Sequence, residues 1–102
     1  MQKILYIDTT DNQKVLVSIN GEEKLTVKAK VTILKAQIVL PLIEKLLKKN
    51  GIKLSEITEI KVNIGPGSFT GIRVGLSVAN ALAYALGIKV NAKDQETDAF
   101  YT

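Results

Sequence analysis

One segment of the chain constrains its fold more than any other, the run from Asn63 to Gly75 that reads NIGPGSFTGIRVG. A strand-forming stretch ends there at a glycine-proline-glycine corner, and a hydroxyl-rich turn leads into an almost wholly apolar helix. A strand, a glycine loop and a helix N-terminus in this order are typical of an anion-binding site, because free backbone amides and the helix dipole both favour negative charge. The helix itself is unusual, and it suggests a second interpretation, a surface that docks on another helix.

The glycine run fails the two common nucleotide-binding patterns. A Walker-type phosphate loop needs a lysine directly after its last glycine, and the next lysine after this loop is Lys89. The dinucleotide-binding pattern needs a small residue where Thr70 stands, and it follows the first strand of its fold, whereas three predicted strands here precede the strand that leads into the loop. We therefore expect Gly65 and Gly67 to shape the turn, with an anion contact that also involves Ser68 and Thr70 as the alternative.

The helix after the loop carries small residues at every fourth position. Glycine inside a helix costs about 1 kcal/mol relative to alanine, so a repeated glycine needs a structural reason. A strip without side chains lets another backbone approach closely, and the remaining faces are largely apolar, as in a buried helix. We predict that the strip packs against a helix of another molecule, with tight packing inside the domain as the alternative. The small-residue strip consists of Gly71, Gly75, Ala79 and Ala83.

The composition restricts the chemistry that is available. The 102 residues include neither cysteine nor histidine, which excludes disulfides, thiolate metal sites and any nucleophile activated by histidine. Carboxylates could still bind magnesium. The net charge of +4 comes mainly from lysine, with a single arginine, and this disfavours a dedicated nucleic-acid-binding role. Without a signal-like start or an apolar run of about 18 residues, we expect a cytoplasmic domain that does not contact a membrane.

Residue periodicity predicts a mixed sheet with two main helices in the order β-β-β-α-β-α-β, an α/β fold. The run from Ile4 to Ile7 is continuously apolar, as in a strand buried on both faces. Asn20-Gly21 predicts a tight hairpin, lysines on the third strand predict a sheet edge, and Pro41 either kinks the first helix or marks its start. The predicted strands are 3–8, 14–19, 23–30, 59–64 and 88–90, and the predicted helices are 34–50 and 68 or 70 to 86.

Two charged residues are further candidates for a functional site. Asp8 ends the first strand, where actin-like ATPases carry an aspartate near magnesium and phosphate, but Thr10-Asp11-Asn12 stands where such enzymes need a glycine. A turn aspartate that hydrogen-bonds its neighbours is the preferred interpretation. Arg73 lies in the first turn of the second helix, where a cation opposes the helix dipole. It is either a surface side chain or a contact for a carboxylate or phosphate of a partner.

Three segments of the chain resemble the TsaB (YeaZ) family, whose bacterial members are required for threonylcarbamoyl-adenosine modification of tRNA next to the anticodon. The segments are Ile7-Asp8-Thr9-Thr10, the helix of Pro41 with Leu46-Leu47, and above all Gly65 to Gly75. The resemblance extends over about residues 3–90. It implies a single actin-like, ribonuclease-H-type lobe over residues 1–90 and a polar tail over 91–102. Usual family members carry a second, C-terminal lobe.

The resemblance further implies a pseudoenzyme, a non-catalytic scaffold that forms a heterodimer with the TsaD catalytic subunit through its two helices and needs no cofactor or metal. A TsaE-like ATPase is a second implied partner, and contact with tRNA would be indirect. The alternatives are a homodimer through the same helices and an ATP-binding fragment of an actin-like enzyme. The predicted partner-binding residues are Ile38 and Leu42 on the first helix and Gly71, Arg73, Gly75, Leu76, Ala79, Leu82 and Ala83 on the second.

Overall fold

Five strands and two long helices make up residues 2–11, 13–28 and 32–91, the part of the chain that this computed structural model describes. The strands are β1 (Ile4–Asp8), β2 (Lys14–Ile19), β3 (Glu23–Lys28), β4 (Glu59–Val62) and β5 (Lys89–Val90). The helices are α1 (Thr32–Lys49) and α2 (Phe69–Leu86), and a 3-10 turn, Leu54–Glu56, precedes β4. The predicted order and fold class are confirmed. The predicted end of β3 at Lys30 and the tail from residue 92 lie outside the described residues.

The strands form one mixed sheet in the order β3-β2-β1-β4-β5. The first three strands are antiparallel neighbours, whereas β4 pairs in parallel with both β1 and β5. Asn20 and Gly21 both have positive φ, 53° and 74°, as the predicted tight hairpin between β2 and β3 requires. The lysine-bearing β3 lies at the sheet edge, as predicted.

Both helices pack on the same face of the sheet and enclose the core. Leu5 and Ile7 of β1 point into this core, whereas Tyr6 and Asp8 between and after them are half-buried on the other face. The prediction that β1 is buried on both faces is therefore wrong for the described residues, in which neither helix covers the second face. The fully or almost fully buried apolar side chains of the core include Val15, Val17, Val39, Ile43, Leu46, Ile57, Ile60, Val62, Ala79, Ala83 and Val90.

Helix α1 runs without interruption from Thr32 to Lys49, through Pro41. Pro41 therefore does not mark the start of the helix. A proline inside a helix removes one backbone hydrogen bond and crowds the preceding turn, and here it stands on the solvent-exposed side. Gly51 follows the helix with φ 65°, and Lys48 and Lys49 occupy the last turn, where positive charge is favourable.

Helix α2 ends at Gly87, which has φ 68° and donates its amide back into the last turn, as in a left-handed glycine cap. Among the described helices, α2 alone is long and apolar enough to cross a membrane by length and composition, with a mean hydropathy of 1.3 over 18 residues. The face of α2 that carries Ala79 and Ala83 packs on the sheet. A core helix meets the same two criteria, so they do not identify a membrane span.

Candidate functional site

The carboxyl ends of β1 and β4 are joined by a hydrogen-bonded network around Asp8. One oxygen of its carboxylate accepts hydrogen bonds from the Thr10 amide at 2.9 Å and the Thr10 hydroxyl at 2.7 Å. The other oxygen accepts one from the Asn63 side-chain amide at 3.2 Å. Asp8 is thus a turn aspartate, the preferred prediction. No group of three or more carboxylates that could hold a metal ion occurs in residues 2–11, 13–28 and 32–91.

The glycine corner packs directly against the end of β1. The amide of Gly65 donates to the Asn63 side chain at 3.1 Å, Gly65 has φ 118°, and its peptide bond to Pro66 is cis. A Cβ atom at Gly67 would lie only 2.7 Å from the Cβ of Thr10 and 2.8 Å from its carbonyl oxygen. This close approach explains glycine at position 67.

The first turn of α2 is capped from within the loop. The Ser68 hydroxyl accepts a hydrogen bond from the Gly71 amide at 3.2 Å, while the Ser68 amide donates to the Thr10 carbonyl at 2.9 Å. Serine is one of the preferred residues at this position, because its oxygen satisfies an amide that has no partner inside the helix. An anion bound here would compete with the Ser68 hydroxyl for that amide. Thr70, in the first turn, is exposed.

Thr9 ties β1 to α2 through its side chain, which is fully buried. Its hydroxyl donates to the Gly71 carbonyl and accepts from the Gly75 amide, the latter at 3.1 Å. In a regular α-helix these two backbone groups bond each other directly. The Thr9 hydroxyl therefore contacts both members of one backbone hydrogen-bond pair of α2. A Cβ atom at Gly75 would collide with this hydroxyl and would also meet Val62 at 3.4 Å.

The small-residue strip therefore faces the sheet of its own domain. Gly71, Gly75, Ala79 and Ala83 are all buried, and the atoms closest to a Cβ at Gly75 belong to β1, β4 and the residue after β1. The prediction that the strip contacts another molecule is wrong, and tight internal packing, the alternative, describes it. The spacing correctly indicated a close backbone approach, but the surface that approaches is a sheet and not a helix of a partner.

The other predicted partner-binding residues are distributed over both sides of the helix layer. Leu42 is a core residue with 6% exposure. Ile38, Leu76 and Leu82 are half-buried and pack against the core. Arg73 is exposed and lies over the Phe69 ring, with its Cζ atom 5.1 Å from the ring centroid. Arg73 therefore lies at the surface, and Ile38 and Leu76 are partly exposed, whereas the buried residues of the predicted set only build the core.

The outward side of α2 carries a second set of residues, which we call the outer stripe. Its aromatic members, Phe69 and Tyr84, are 52% and 78% exposed. The spacings of four, three, four and four residues keep all members within an arc of roughly 80° at 100° per residue. Asn80, in the middle, has a buried side-chain oxygen without a hydrogen-bond partner among the described residues. The outer stripe consists of Phe69, Arg73, Leu76, Asn80 and Tyr84.

The predicted set of partner-binding residues omitted Phe69 and Tyr84. On a helical wheel both stand away from the small-residue strip, so the pattern that identified the strip could also have identified them. On α1, a hollow of about 300 Å³ adjoins the exposed ring of Pro41. Its lining residues are Gln37, Ile38, Pro41, Leu42 and Lys45.

Comparison with known proteins identifies a matching family model and several relatives that match about half of the chain. A family model described as TsaD, tRNA N6-adenosine threonylcarbamoyltransferase, matches residues 32–92, more than half of the chain. The tRNA threonylcarbamoyladenosine biosynthesis protein TsaB of Buchnera aphidicola subsp. Baizongia pistaciae is 44% identical over 50 residues, covering 49% of this chain and 23% of that protein. The tRNA N6-adenosine threonylcarbamoyltransferase of Ralstonia pickettii is 49% identical over 49 residues, covering 48% of this chain and 14% of that protein.

A solved structure extends the match to most of the chain. YeaZ from Pseudomonas aeruginosa has a TM-score of 0.75 and 34% identity, covering 88% of this chain and 42% of that chain. The chain thus spans less than half the length of these relatives. The predicted fold, a single actin-like lobe, is confirmed. The family resemblance predicted mainly from the segment Gly65 to Gly75 is confirmed as well. The chain belongs to the TsaB (YeaZ) family, within the wider family that the TsaD model describes.

Proposed function

We propose that this chain is a non-catalytic subunit in tRNA threonylcarbamoyladenosine biosynthesis that pairs with a TsaD-type transferase through the outward sides of α1 and α2. The observation that carries the proposal is the outer stripe of α2. Two large aromatic side chains and the single arginine of the chain stand there on a helix that is otherwise built from small and aliphatic residues. The family model that includes α2 is described as a tRNA N6-adenosine threonylcarbamoyltransferase, and a relative named for this biosynthesis matches about half of the chain.

The chemistry of the stripe suits a protein partner. Tyrosine and arginine are over-represented among residues that dominate binding energy, because each combines a large contact area with directed hydrogen bonds. The ring of Phe69 lies under the Arg73 guanidinium, which orients the cation toward a carboxylate on a partner at a smaller entropic cost.

The side chains that the chain carries support the proposed non-catalytic role. It has no histidine and no cysteine to act as a base, nucleophile or transition-metal ligand. The carboxylate of Asp8 already accepts three hydrogen bonds from its own domain. In this proposal the TsaD-type subunit performs the transfer in the cytoplasm, a TsaE-type ATPase joins the pair, and tRNA contacts this chain only indirectly.

The test is a titration of the chain with the TsaD-type transferase of the same organism, followed by isothermal calorimetry. Replacing Tyr84 with alanine (Tyr84→Ala) removes an exposed ring and leaves the core intact. A ring at the centre of such a contact contributes about 2 kcal/mol, so we expect the affinity to fall about 30-fold. Leu54→Ala is the matched control, because Leu54 is also a large exposed apolar residue, 38% exposed, but lies in the turn before β4.

Equal affinities for Tyr84→Ala, Leu54→Ala and the unmodified chain would reject the outer stripe as the docking surface. Light scattering of the chain alone tests the homodimer alternative. A stable dimer that Tyr84→Ala converts to a monomer would assign the stripe to self-association instead of the transferase.

A further inference from the structure

Two asparagine-glycine pairs occur in the chain, Asn20-Gly21 and Asn50-Gly51. In such a pair the backbone nitrogen of the glycine can attack the side-chain carbonyl of the asparagine, because glycine has no Cβ atom to hinder the approach. This reaction, deamidation, converts the neutral amide to a carboxylate, and it contributes to the thermal lability of asparagine. Both pairs share the same two residues, so a difference between their rates in the folded chain reports on their surroundings.

The side chain of Asn20 lies at the hairpin tip, and its carbonyl group is already hydrogen-bonded. Its Oδ1 atom accepts the amide of Ile4, the first residue of β1, at 2.8 Å, whereas its Nδ2 atom donates to the Gln2 carbonyl only at 3.4 Å. A donor fixed on a carbonyl oxygen stabilises the negative charge that develops on this oxygen when a nucleophile adds to the carbon. The Ile4 amide therefore favours attack at the Cγ atom of Asn20, and the nitrogen that leaves is weakly held.

The attacking nitrogen, that of Gly21, is accessible as well. The turn is closed by the Glu22 amide, which donates to the Ile19 carbonyl at 3.0 Å, and the Gly21 amide has no acceptor in the part of the chain that the structure describes. Asn20 and Gly21 are both exposed, and no atom lies within 4 Å of a Cβ placed at Gly21. Because the hairpin joins β2 to the edge strand β3, a local opening at its tip breaks few contacts.

The second pair, Asn50-Gly51, is held in a way that opposes the reaction. The Nδ2 atom of Asn50 donates to the Leu46 carbonyl at 2.8 Å, and the Gly51 amide donates to the Lys48 carbonyl at 3.2 Å, as in a glycine-capped helix end. Leu46 is a core residue with 1% exposure, so opening this end of α1 disturbs the core. Here both the leaving nitrogen and the attacking nitrogen are engaged in hydrogen bonds.

We propose that Asn20 is a site of spontaneous covalent modification, at which the fold promotes deamidation through the Ile4 amide. The Gly21 nitrogen gives up its proton to hydroxide and bonds to the Cγ atom of Asn20. The bond between Cγ and Nδ2 then breaks, and the nitrogen leaves with a proton from water as ammonia. Water opens the resulting cyclic imide at one or the other of its carbonyl carbons, which gives aspartate or isoaspartate.

The modification acts on the edge of the sheet. Isoaspartate adds one carbon atom to the backbone at the hairpin tip, so the strand register that places Ile19 opposite Glu23 is no longer matched by the turn. Loss of the side-chain amide also removes the donor to the Gln2 carbonyl. The edge strand β3 is therefore the element that deamidation of Asn20 weakens.

Incubation of the full chain at mildly alkaline pH, followed by trypsin digestion and mass spectrometry, tests this proposal. Lysines bound the peptides 15–24 and 50–53, so trypsin separates the two pairs. We expect Asn20 to gain the mass of an amide-to-acid change severalfold faster than Asn50 in the folded chain, and the two to react at similar rates in concentrated urea. Equal rates in the folded chain, or a faster reaction at Asn50, would overturn the proposal.

Ile4→Pro tests the role of the Ile4 amide, because proline lacks the N–H group and is tolerated at the first residue of a strand. Ile4→Val keeps the amide and is the matched control. The proline variant should slow the reaction of Asn20 severalfold, and the valine variant should leave it unchanged. Equal rates in the two variants, or a faster reaction in Ile4→Pro, would show that the hydrogen bond does not promote the reaction.

Circular dichroism checks that both variants retain the fold. The comparison of Asn20 with Asn50 in the unmodified chain depends on neither variant, so the proposal stays open to contradiction even where Ile4→Pro fails to fold.

Discussion

The small-residue strip and the outer stripe of α2 are built from different residues, and we propose different roles for them. The small-residue strip lies within contact distance of the sheet, where the Thr9 hydroxyl reaches the backbone of the helix. In the outer stripe, Phe69 and Tyr84 are exposed to solvent, whereas Leu76 and Asn80 are half-buried. Small residues in a helix thus indicate where a backbone comes close, while large exposed side chains indicate where a partner can bind. In this domain the closest backbone contact is internal, and the surface that we propose for a partner is centred about 120° away around the helix.

Gly75→Leu is expected to have the largest effect, and it tests whether the small-residue strip faces the sheet. Because even a Cβ atom at this position collides with the Thr9 hydroxyl, the leucine side chain has to displace the helix from the sheet. We expect a loss of about 3 kcal/mol in the free energy of unfolding, measured with urea. Ala81→Leu, on the exposed side of the same helix, is the matched control and should change stability by less than about 0.5 kcal/mol. A Gly75→Leu chain as stable as Ala81→Leu would contradict the inward orientation of the strip.

Thr9→Val tests the hydrogen bonds between Thr9 and α2, because it removes the hydroxyl and keeps the size of the side chain. The Gly71 carbonyl and the Gly75 amide then lose their shared partner inside the core. Because these two groups can still bond each other within the helix, the cost is that of the two lost hydrogen bonds to Thr9, at about 1 kcal/mol each, and we expect a loss of about 2 kcal/mol in the same urea measurement. Thr9→Ser keeps the hydroxyl and should retain more of the stability. If valine and serine at position 9 were equally tolerated, the bridge would make no contribution.

Ser68→Ala tests how much the loop contributes to the start of α2. The Ser68 hydroxyl caps the Gly71 amide, and loss of such a cap costs about 1 kcal/mol. Ser77→Ala is the control, because Ser77 is exposed in the middle of the same helix, where alanine is the better helix former. Thermal unfolding of both variants should place Ser68→Ala below the unmodified chain and Ser77→Ala at or above it. The reverse order would show that the cap is dispensable.

The smallest effect concerns Glu56, which lies away from both sides of α2. A hydrogen bond from the Lys53 amide, and secondarily the nearby Lys3, hold the pKa of Glu56 below its ordinary value of 4.5. Because the folded pKa is the lower one, this stabilisation is present above the ordinary value and disappears as the pH falls through the folded pKa. Glu56→Gln should therefore lower the melting temperature slightly at neutral pH and not at all in strong acid. A difference that persists in strong acid would contradict the assignment.

Several elements of the fold could be predicted from local chemistry alone. The bounds of β2 were predicted correctly, and Asn20-Gly21 and Gly87 adopt the positive φ values that their turn and cap require. Each of these features depends on residues within a few positions of one another. The family resemblance, carried by Gly65 to Gly75, is likewise a property of one short segment.

What could not be predicted depends on contacts between distant parts of the chain. Gly75 is glycine because of Thr9, which precedes it by 66 positions, and no periodicity in α2 indicates that contact. The apolar run of β1 resembled a strand buried on both faces because Tyr6 and Leu5 are both apolar in a sequence pattern, although only Leu5 faces the helices. Helical spacing therefore located the small-residue strip of α2, but not the surface that the strip meets.

The most direct test of the central claim is the affinity of one double variant, Arg73→Ala with Tyr84→Ala, for the TsaD-type transferase. The claim is that α2 folds with its small-residue strip and binds with its outer stripe. It predicts an affinity at least about 30-fold below that of the unmodified chain, with a free energy of unfolding that stays within about 0.5 kcal/mol. An unchanged affinity for this stable double variant would contradict it.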